Sequence, residues 1–527
     1  MNKFNAMFRV SFRGMIHSLG FQGSKKKTAD RSGWLNFALV MGLNLWVAAS
    51  YGMSMMMLLK ETGNTQVFFA FMALLGVVFC TMFTLTGAKE VVFGTRDIDI
   101  VLSLPIHGRV VLLARLAALY CENAAFVLVW LLCAGGIWAV QGNGVSPTLF
   151  LVLILSGILL AVLPTLASLL IGVALAAISG RFARHALAEN ILYFVGILLF
   201  CGFFFGLTKL QTAQSLTIEL KEILTPFAWM TEACYGNWLA LFKVALICVM
   251  PAVAVCLVCG HYYVAILASL TTQHGKSNYK LKQMKAQGVT LGLLKKEWCR
   301  YINTPIYVFN TAFGFLIYMA SAVAVLVKRE MFWELLQQEG FGNVSPLLLL
   351  AGFTAFVFAM VAISASSISL EGKSFWVLKS LPISAKQILS AKVLFHWLAC
   401  APFVVVGGIL LGVGVGVDAL SLCVFLLWAL FYVWSLAQIG LLINLKFPKL
   451  DAVNDTVVIK QSAATGLSIW ANVIFVLLLG GIAVFLNRYL PLLLSALCSV
   501  GVLVVVVIGL TMLLQTQGVR MLENLEP

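Results

Sequence analysis

Ser103-Leu104-Pro105-Ile106 opens a run that ends near Leu116, and Ser380-Leu381-Pro382-Ile383 opens another that ends near Val393. The fourteen aligned positions share six identities, and Arg109 and Arg115 of the first copy align with Lys386 and Lys392 of the second. Each copy follows a second apolar span, sits in a basic loop and leads into a third span. Pro382 stops any preceding helix, while Ser384 and Gln387 have the S-x-x-Q spacing of a capping box, with Ile383 and Ile388 placed as its hydrophobic staple. The first copy keeps the staple pair, Ile106 and Val111, but has His107 at the cap, a poorer capping residue. The pattern predicts two halves, each placing a short, sharply bounded segment on one side of a membrane.

Composition names the solvent. Of 527 residues, 61% are hydrophobic and 10% charged, and the mean hydropathy is +1.01. Soluble chains carry about 25% charged residues, so the reading is an all-α polytopic membrane protein. The net charge of +15 does not point to nucleic acid, because the basic residues are spread over loops between apolar spans and serve orientation. Most of the twelve cysteines lie inside apolar spans, and Cys234 falls in a long outer loop. Cys256 and Cys259 form a C-x-x-C inside a span, where small apolar packing residues are the better reading than a metal or redox pair.

A hydrocarbon core of about 30 Å takes about 20 apolar residues of helix. Twelve runs meet that measure: 34–59, 67–87, 110–140, 147–179, 190–208 and 239–270, then 306–327, 345–366, 390–416, 419–444, 467–486 and 490–515. With both termini inside, 28 of the 35 Lys and Arg residues fall in cytoplasmic segments or at their edges and six in outer ones, the bias of the positive-inside rule. Six spans per half give two parallel repeats, 34–270 and 306–515. A basic amphipathic segment at 1–33, a cytoplasmic linker at 271–305 and a cytoplasmic tail at 516–527 complete the chain. Phe4, Met7, Phe8, Phe12, Met15, Ile16 and Leu19 recur at helical spacing, as expected of a helix lying along the headgroups rather than of a signal peptide. The linker's Leu291-Gly-Leu-Leu-Lys-Lys-Glu-Trp-Cys-Arg-Tyr, halted at Pro305, is its counterpart. The outer excursion at 207–238 is expected to dip back as short helices.

Catalytic motifs are missing. Two Gly-Lys-Ser triplets occur, but the residues five before Gly275 and Gly372 are Leu270 and Ser367, not the glycine a phosphate loop needs. There is no H-E-x-x-H and no clustered His/Cys pattern, so neither a catalytic nor a metal site is assigned. Intramembrane ionisable residues are costly without a role, which singles out Glu122, His261 and His396. They line a substrate path, or they are side chains satisfied by a neighbouring helix or reaching to the interface. In the repeated loops, Arg96, Asp97, Asp99, Ser103, Leu104 and Pro105 in the first half, and Glu371, Lys373, Lys379, Ser380, Leu381, Pro382 and Ser384 in the second, form candidate docking segments.

These segments carry a family resemblance. Gly94-Thr-Arg-Asp-Ile-Asp-Ile-Val-Leu-Ser-Leu-Pro-Ile and Leu370-Glu-Gly-Lys-Ser-Phe-Trp-Val-Leu-Lys-Ser-Leu-Pro-Ile, with Lys446-Phe-Pro-Lys-Leu-Asp and Lys460-Gln-Ser-Ala-Ala as weaker matches, resemble permeases of the ABC-2 type. The pattern is similar to bacterial ABC exporters that fuse two permease units into one twelve-span chain. The resemblance implies a permease of the bacterial cytoplasmic membrane that is not itself an enzyme. Its loops would couple to cytosolic ATPase subunits, two copies or a heterodimer, and ATP and Mg would be held by that partner. An ion-coupled secondary transporter of two parallel halves is disfavoured by the few intramembrane carboxylates and by the interfacial helices. A membrane scaffold or sensor partnered with an ATPase is the third alternative.

Overall fold

The computed structural model describes residues 3–18, 26–61, 65–85, 92–93, 103, 105–142, 144, 146–181, 190–191, 194–196, 202, 225–271, 288–338, 345–452, 455–460 and 462–525. All regular structure among them is helical, and the chain divides into two units, Met1–Asn278 and Tyr279–Pro527. Ten of the described helical segments are long and apolar enough to cross a bilayer. Of the two remaining apolar runs, 34–59 lies within a 36-residue helix, Lys26–Glu61, and 190–208 lies largely outside the described residues.

In the first unit α1 (Lys3–Ser18) packs across α4 (Gly108–Val140). Its Phe4, Met7 and Phe8 join Val111, Leu112 and Leu116 in one apolar cluster, while Arg9 and Arg13 stay exposed. α4 also packs on α2 (Lys26–Glu61), α3 (Phe68–Leu85) and α5 (Pro147–Leu160). A buried polar pin fixes its register: Trp130 Nε1 donates to Asn44 Oδ1 at 2.8 Å, and Asn44 Nδ2 donates to the Phe126 carbonyl at 3.2 Å. The expected span 147–179 is one apolar segment, Pro147–Ala174, kinked at Ala161 between α5 and α6 (Val162–Arg181). Pro164 explains the kink, since it has no N–H for the Leu160 carbonyl and its ring crowds that oxygen. α7 (Thr225–Cys234) is a short helix before α8 (Trp238–Thr271).

The second unit opens with α9 (Val289–Asn303), whose next helix, α10 (Pro305–Val327), starts with proline at its first turn. α11 (Arg329–Gln338) precedes α12 (Pro346–Ala359), which is shorter than the 345–366 expected from hydropathy. Beyond it the backbone continues as two tight 3-10 turns, Ser364–Ser366 and Ser369–Ser374, and then α13 (Phe375–Ser380). Serines compete for the backbone here: Ser366 Oγ donates to the Ile363 carbonyl at 3.3 Å and Ser367 Oγ to that of Ser364 at 3.0 Å.

α14 (Ala385–Val415) begins with the expected capping box, Ser384 and Gln387 bonding each other's backbone N–H. Ile383 and Ile388 pack in the same cluster beneath it. α4 has His107 at its cap with no side-chain hydrogen bond. α15 (Ala419–Lys446), capped by Asp418, packs on α14; α16 (Asp455–Lys460), α17 (Ala463–Tyr489), α18 (Leu492–Leu513) and α19 (Val519–Glu523) complete the unit.

Candidate functional site

Inside a bilayer, a broken helix survives only where other groups take over its backbone hydrogen bonds. Around 359–371 they come from four neighbouring helices. Asn472 Nδ2 on α17 donates to the Ala359 carbonyl at 3.1 Å, and the Tyr307 hydroxyl on α10 donates to that of Ile363 at 2.5 Å. His396 Nδ1 on α14 accepts the Ser364 N–H at 3.2 Å. Asn444 Oδ1 on α15 accepts the N–H groups of Ile368 and Ser369, at 2.8 and 3.2 Å. Gly440 lets α15 come this close, since a Cβ there would stand 2.5 Å from Ser364 Oγ.

The far end of the break is closed by five charges. Glu371, 3% exposed, is the hub. Its Oε1 accepts from Lys296 Nζ at 2.6 Å and Lys392 Nζ at 2.8 Å, and its Oε2 from Arg300 Nη2 at 2.6 Å. Lys392 Nζ also donates to Glu297 Oε1 at 2.8 Å and to the Ser367 carbonyl at 2.9 Å, which uses all three ammonium protons. Lys296, Glu297 and Arg300 share α9, so the cluster joins α9, the broken span and α14. Burial, then the nearby Lys392 charge, pulls the Lys296 ammonium below its ordinary value despite the opposing pull of Glu371. Burial also works against the Arg300 charge, but the hydrogen bond and charge of Glu371 outweigh it and hold Arg300 above its ordinary value.

Gly372 turns the chain beside the hub, with φ 52° and ψ −141°, a region open essentially to glycine alone. The turn lets Glu371 face inward while Lys373 is exposed. α13 then buries Phe375 and Leu378 and exposes Trp376 (59%) and Val377 (43%), with Leu381 (44%) just beyond. Lys379 Nζ secures its end to the carbonyls of Glu523 and Leu525, at 2.9 and 2.6 Å.

A family model described as a membrane protein of 12 TMs matches residues 36–515. The chain belongs to that family. No curated protein and no solved structure matches it.

In this 12-TM chain the sequence-selected residues have divided fates. Arg96, Asp97, Asp99 and Leu104 lie outside the described residues. Ser103 and Pro105 are exposed, as are Lys373, Lys379, Ser380, Leu381, Pro382 and Ser384. Glu371, expected in a candidate docking segment, is buried, and three cations replace water around its carboxylate. His396 is buried against Ser364 with Nε2 unpartnered among the described residues. His261 is exposed, its Nδ1 accepting from Arg109 Nη2 at 3.2 Å. Glu122 is half-buried on α4, beside Asn123, which is buried and donates to Thr165 Oγ1 at 2.9 Å. Among the described residues no hydrogen bond or ion pair joins Glu122 to His261.

Lys296, Glu297, Arg300 and Lys392 appear in the sequence patterns but were not read from them as members of one site. The signal was the Lys-Lys-Glu-x-x-Arg spacing on one helix, but its partner Glu371 lies 71 residues beyond Arg300. At the position aligned with Lys392, Arg115 is also buried; its Nη1 donates to the Val92 carbonyl and the Tyr263 hydroxyl, both at 3.3 Å.

Proposed function

We propose that this 12-TM protein is the transmembrane permease subunit of an ATP-driven exporter in a bacterial cytoplasmic membrane, with both termini cytoplasmic. ATP and Mg belong to a separate ATPase, present as two copies or a heterodimer, and the chain itself is not an enzyme. One observation carries this reading: the small apolar face of α13 is exposed, while Glu371 before it is tied into the unit's interior and Lys379 near its end is tied to the last turn of the unit. Trp376, Val377 and Leu381 are exposed beside Lys373, whereas Glu371 is held by α9 and α14 and Lys379 by the C-terminal turn. A docked ATPase pushing on α13 would displace Glu371, and the charge cluster would pass that displacement to α9 and to α14. Arg96, Asp97, Asp99 and the first Ser-Leu-Pro-Ile run would serve the second ATPase.

The test is purification from the native cell. The chain should bring an ATPase with it and hydrolyse no ATP once that partner is stripped away. In vesicles, transport should require ATP. Transport driven by a proton or sodium gradient without nucleotide would identify a secondary transporter instead.

A further inference from the structure

A cleft of about 370 Å³ opens in the first unit among four helices, within the range of small-ligand sites, roughly 300–1,000 Å³. Its walls are Phe4 of α1, Leu113 and Ala117 of α4, Leu166 of α6, and Ala252 and Cys256 of α8, together with their apolar neighbours. The two lining hydroxyls are already engaged. Tyr120 donates to the Ile158 carbonyl at 2.8 Å, and Thr165 donates to the Ala161 carbonyl at 2.8 Å while accepting from Asn123. Nothing in the walls calls for a polar guest. The cleft suits a hydrocarbon chain.

Its mouth is cationic. Arg109 stands one turn before Leu113 on the same face of α4, so it lies where that wall ends. From the other side, Ala252, Cys256 and Gly260 follow one face of α8, and Gly260 meets the Arg109 stem: a Cβ there would be 3.2 Å from Arg109 Cγ. Arg109 is exposed and bonds the ring of His261, leaving further N–H donors of its guanidinium. Lys3, next to Phe4, is exposed and donates to the Pro105 carbonyl at 2.8 Å. Neither cation has a carboxylate partner among the described residues. Both sit at the N-terminal ends of their helices, the level at which headgroups meet a spanning helix such as α4.

We infer that this cleft binds one anionic phospholipid, an acyl chain between α4, α6 and α8 and its phosphate against Arg109 and Lys3. Binding of this kind needs no ATPase, so it stands apart from the transport reading. Arginine matches a phosphate with paired donors, and a juxtamembrane cation is worth about 1 kcal/mol toward anionic lipid, a factor of roughly five.

Native mass spectrometry of the purified full-length chain, titrated with phosphatidylglycerol and with phosphatidylcholine, tests it. The wild type should retain phosphatidylglycerol about 25-fold better, a factor of roughly five for each of the two cations. Arg109→Gln should cut that preference about fivefold, to what Lys3 alone supports, whereas Arg109→Lys should keep most of it. Lys373→Gln, an exposed cation of the other unit, should change nothing. Ala117→Trp should reduce retention of both lipids by filling the cleft, and Leu113→Gln, a milder change at an exposed position, should do so by making its wall polar. Equal retention of the two lipids by the wild type would overturn the inference. So would an undiminished preference in folded Arg109→Gln, or unchanged retention in both cleft variants.

Discussion

Lys392 Nζ and Glu297 Oε1 meet at 2.8 Å across 95 residues of sequence. The contact joins α9 to the membrane helix α14, with Glu371 completing the link at 2.8 Å from the same ammonium. Taking such charges out of water is costly, and only mutual pairing offsets it. Removing a single partner is therefore more damaging than replacing the whole set by apolar residues.

Glu371→Gln should destabilise the second unit by about 3–5 kcal/mol, the usual cost of breaking a buried pair. It removes the carboxylate shared by Lys296, Arg300 and Lys392. Lys373→Gln, one residue past Gly372 but exposed, should shift stability by less than about 0.5 kcal/mol. Thermal unfolding of both variants in detergent is the measurement. Equal midpoints would mean that the cluster contributes nothing.

Gly372→Ala probes the turn that separates those two residues. An alanine at φ 52° and ψ −141° should cost about 1–3 kcal/mol through backbone strain alone. Its Cβ would meet no closer atom than the Leu450 carbonyl oxygen at 3.5 Å, so any loss of midpoint reads the backbone rather than a clash.

The two caps predict opposite outcomes. Ser384→Ala removes the capping box of α14 and should lose about 1 kcal/mol, while His107→Ser supplies α4 with a missing cap and should gain a similar amount. Both positions are exposed, so packing changes little, and unfolding midpoints report the difference.

Cys234 gives a pH-dependent prediction. Burial pushes its thiol up to about 12, and the thiolate is the form that alkylates. Below that value the thiolate fraction rises tenfold per pH unit. Alkylation should therefore be slow at neutral pH and keep climbing through pH ~10, whereas a cysteine placed at exposed Asn237 should level off above about 8.5. A plateau at Cys234 near that lower value would place its thiol in water. Asn237→Cys in a chain without other cysteines is the better reporter of which side α7 faces.

The hydropathy pattern made most of the fold legible. The helices 108–140, 238–271, 305–327 and 419–446 lie within a few residues of the runs read from sequence, because length and apolarity alone decide a membrane span. The Ser384–Gln387 box and the poor cap at His107 were also readable, being local chemistry. A kink and a break were not assigned. Pro164 gave a signal at Ala161 that the long apolar run outweighed. The break after Ala359 has neither proline nor glycine near it, and its support comes from His396, Asn444, Asn472 and Tyr307 on other helices. The charge cluster was hidden for the same reason, since nothing local pairs Glu371 with Arg300 or Lys392.

If α13 docks an ATPase, as proposed, Trp376, 59% exposed on that helix, is the anchor whose loss shows it. Trp376→Glu puts a charge on the docking face without touching Phe375, Leu378 or the ion cluster, so the chain's own unfolding midpoint should stay put. Purified from the native cell, the variant should carry at least tenfold less ATPase than the wild type, consistent with loss of about 1.4 kcal/mol or more from an aromatic anchor. Undiminished ATPase in Trp376→Glu, and again in the double variant with Leu381→Glu, would contradict the assignment of this chain as a permease driven through α13.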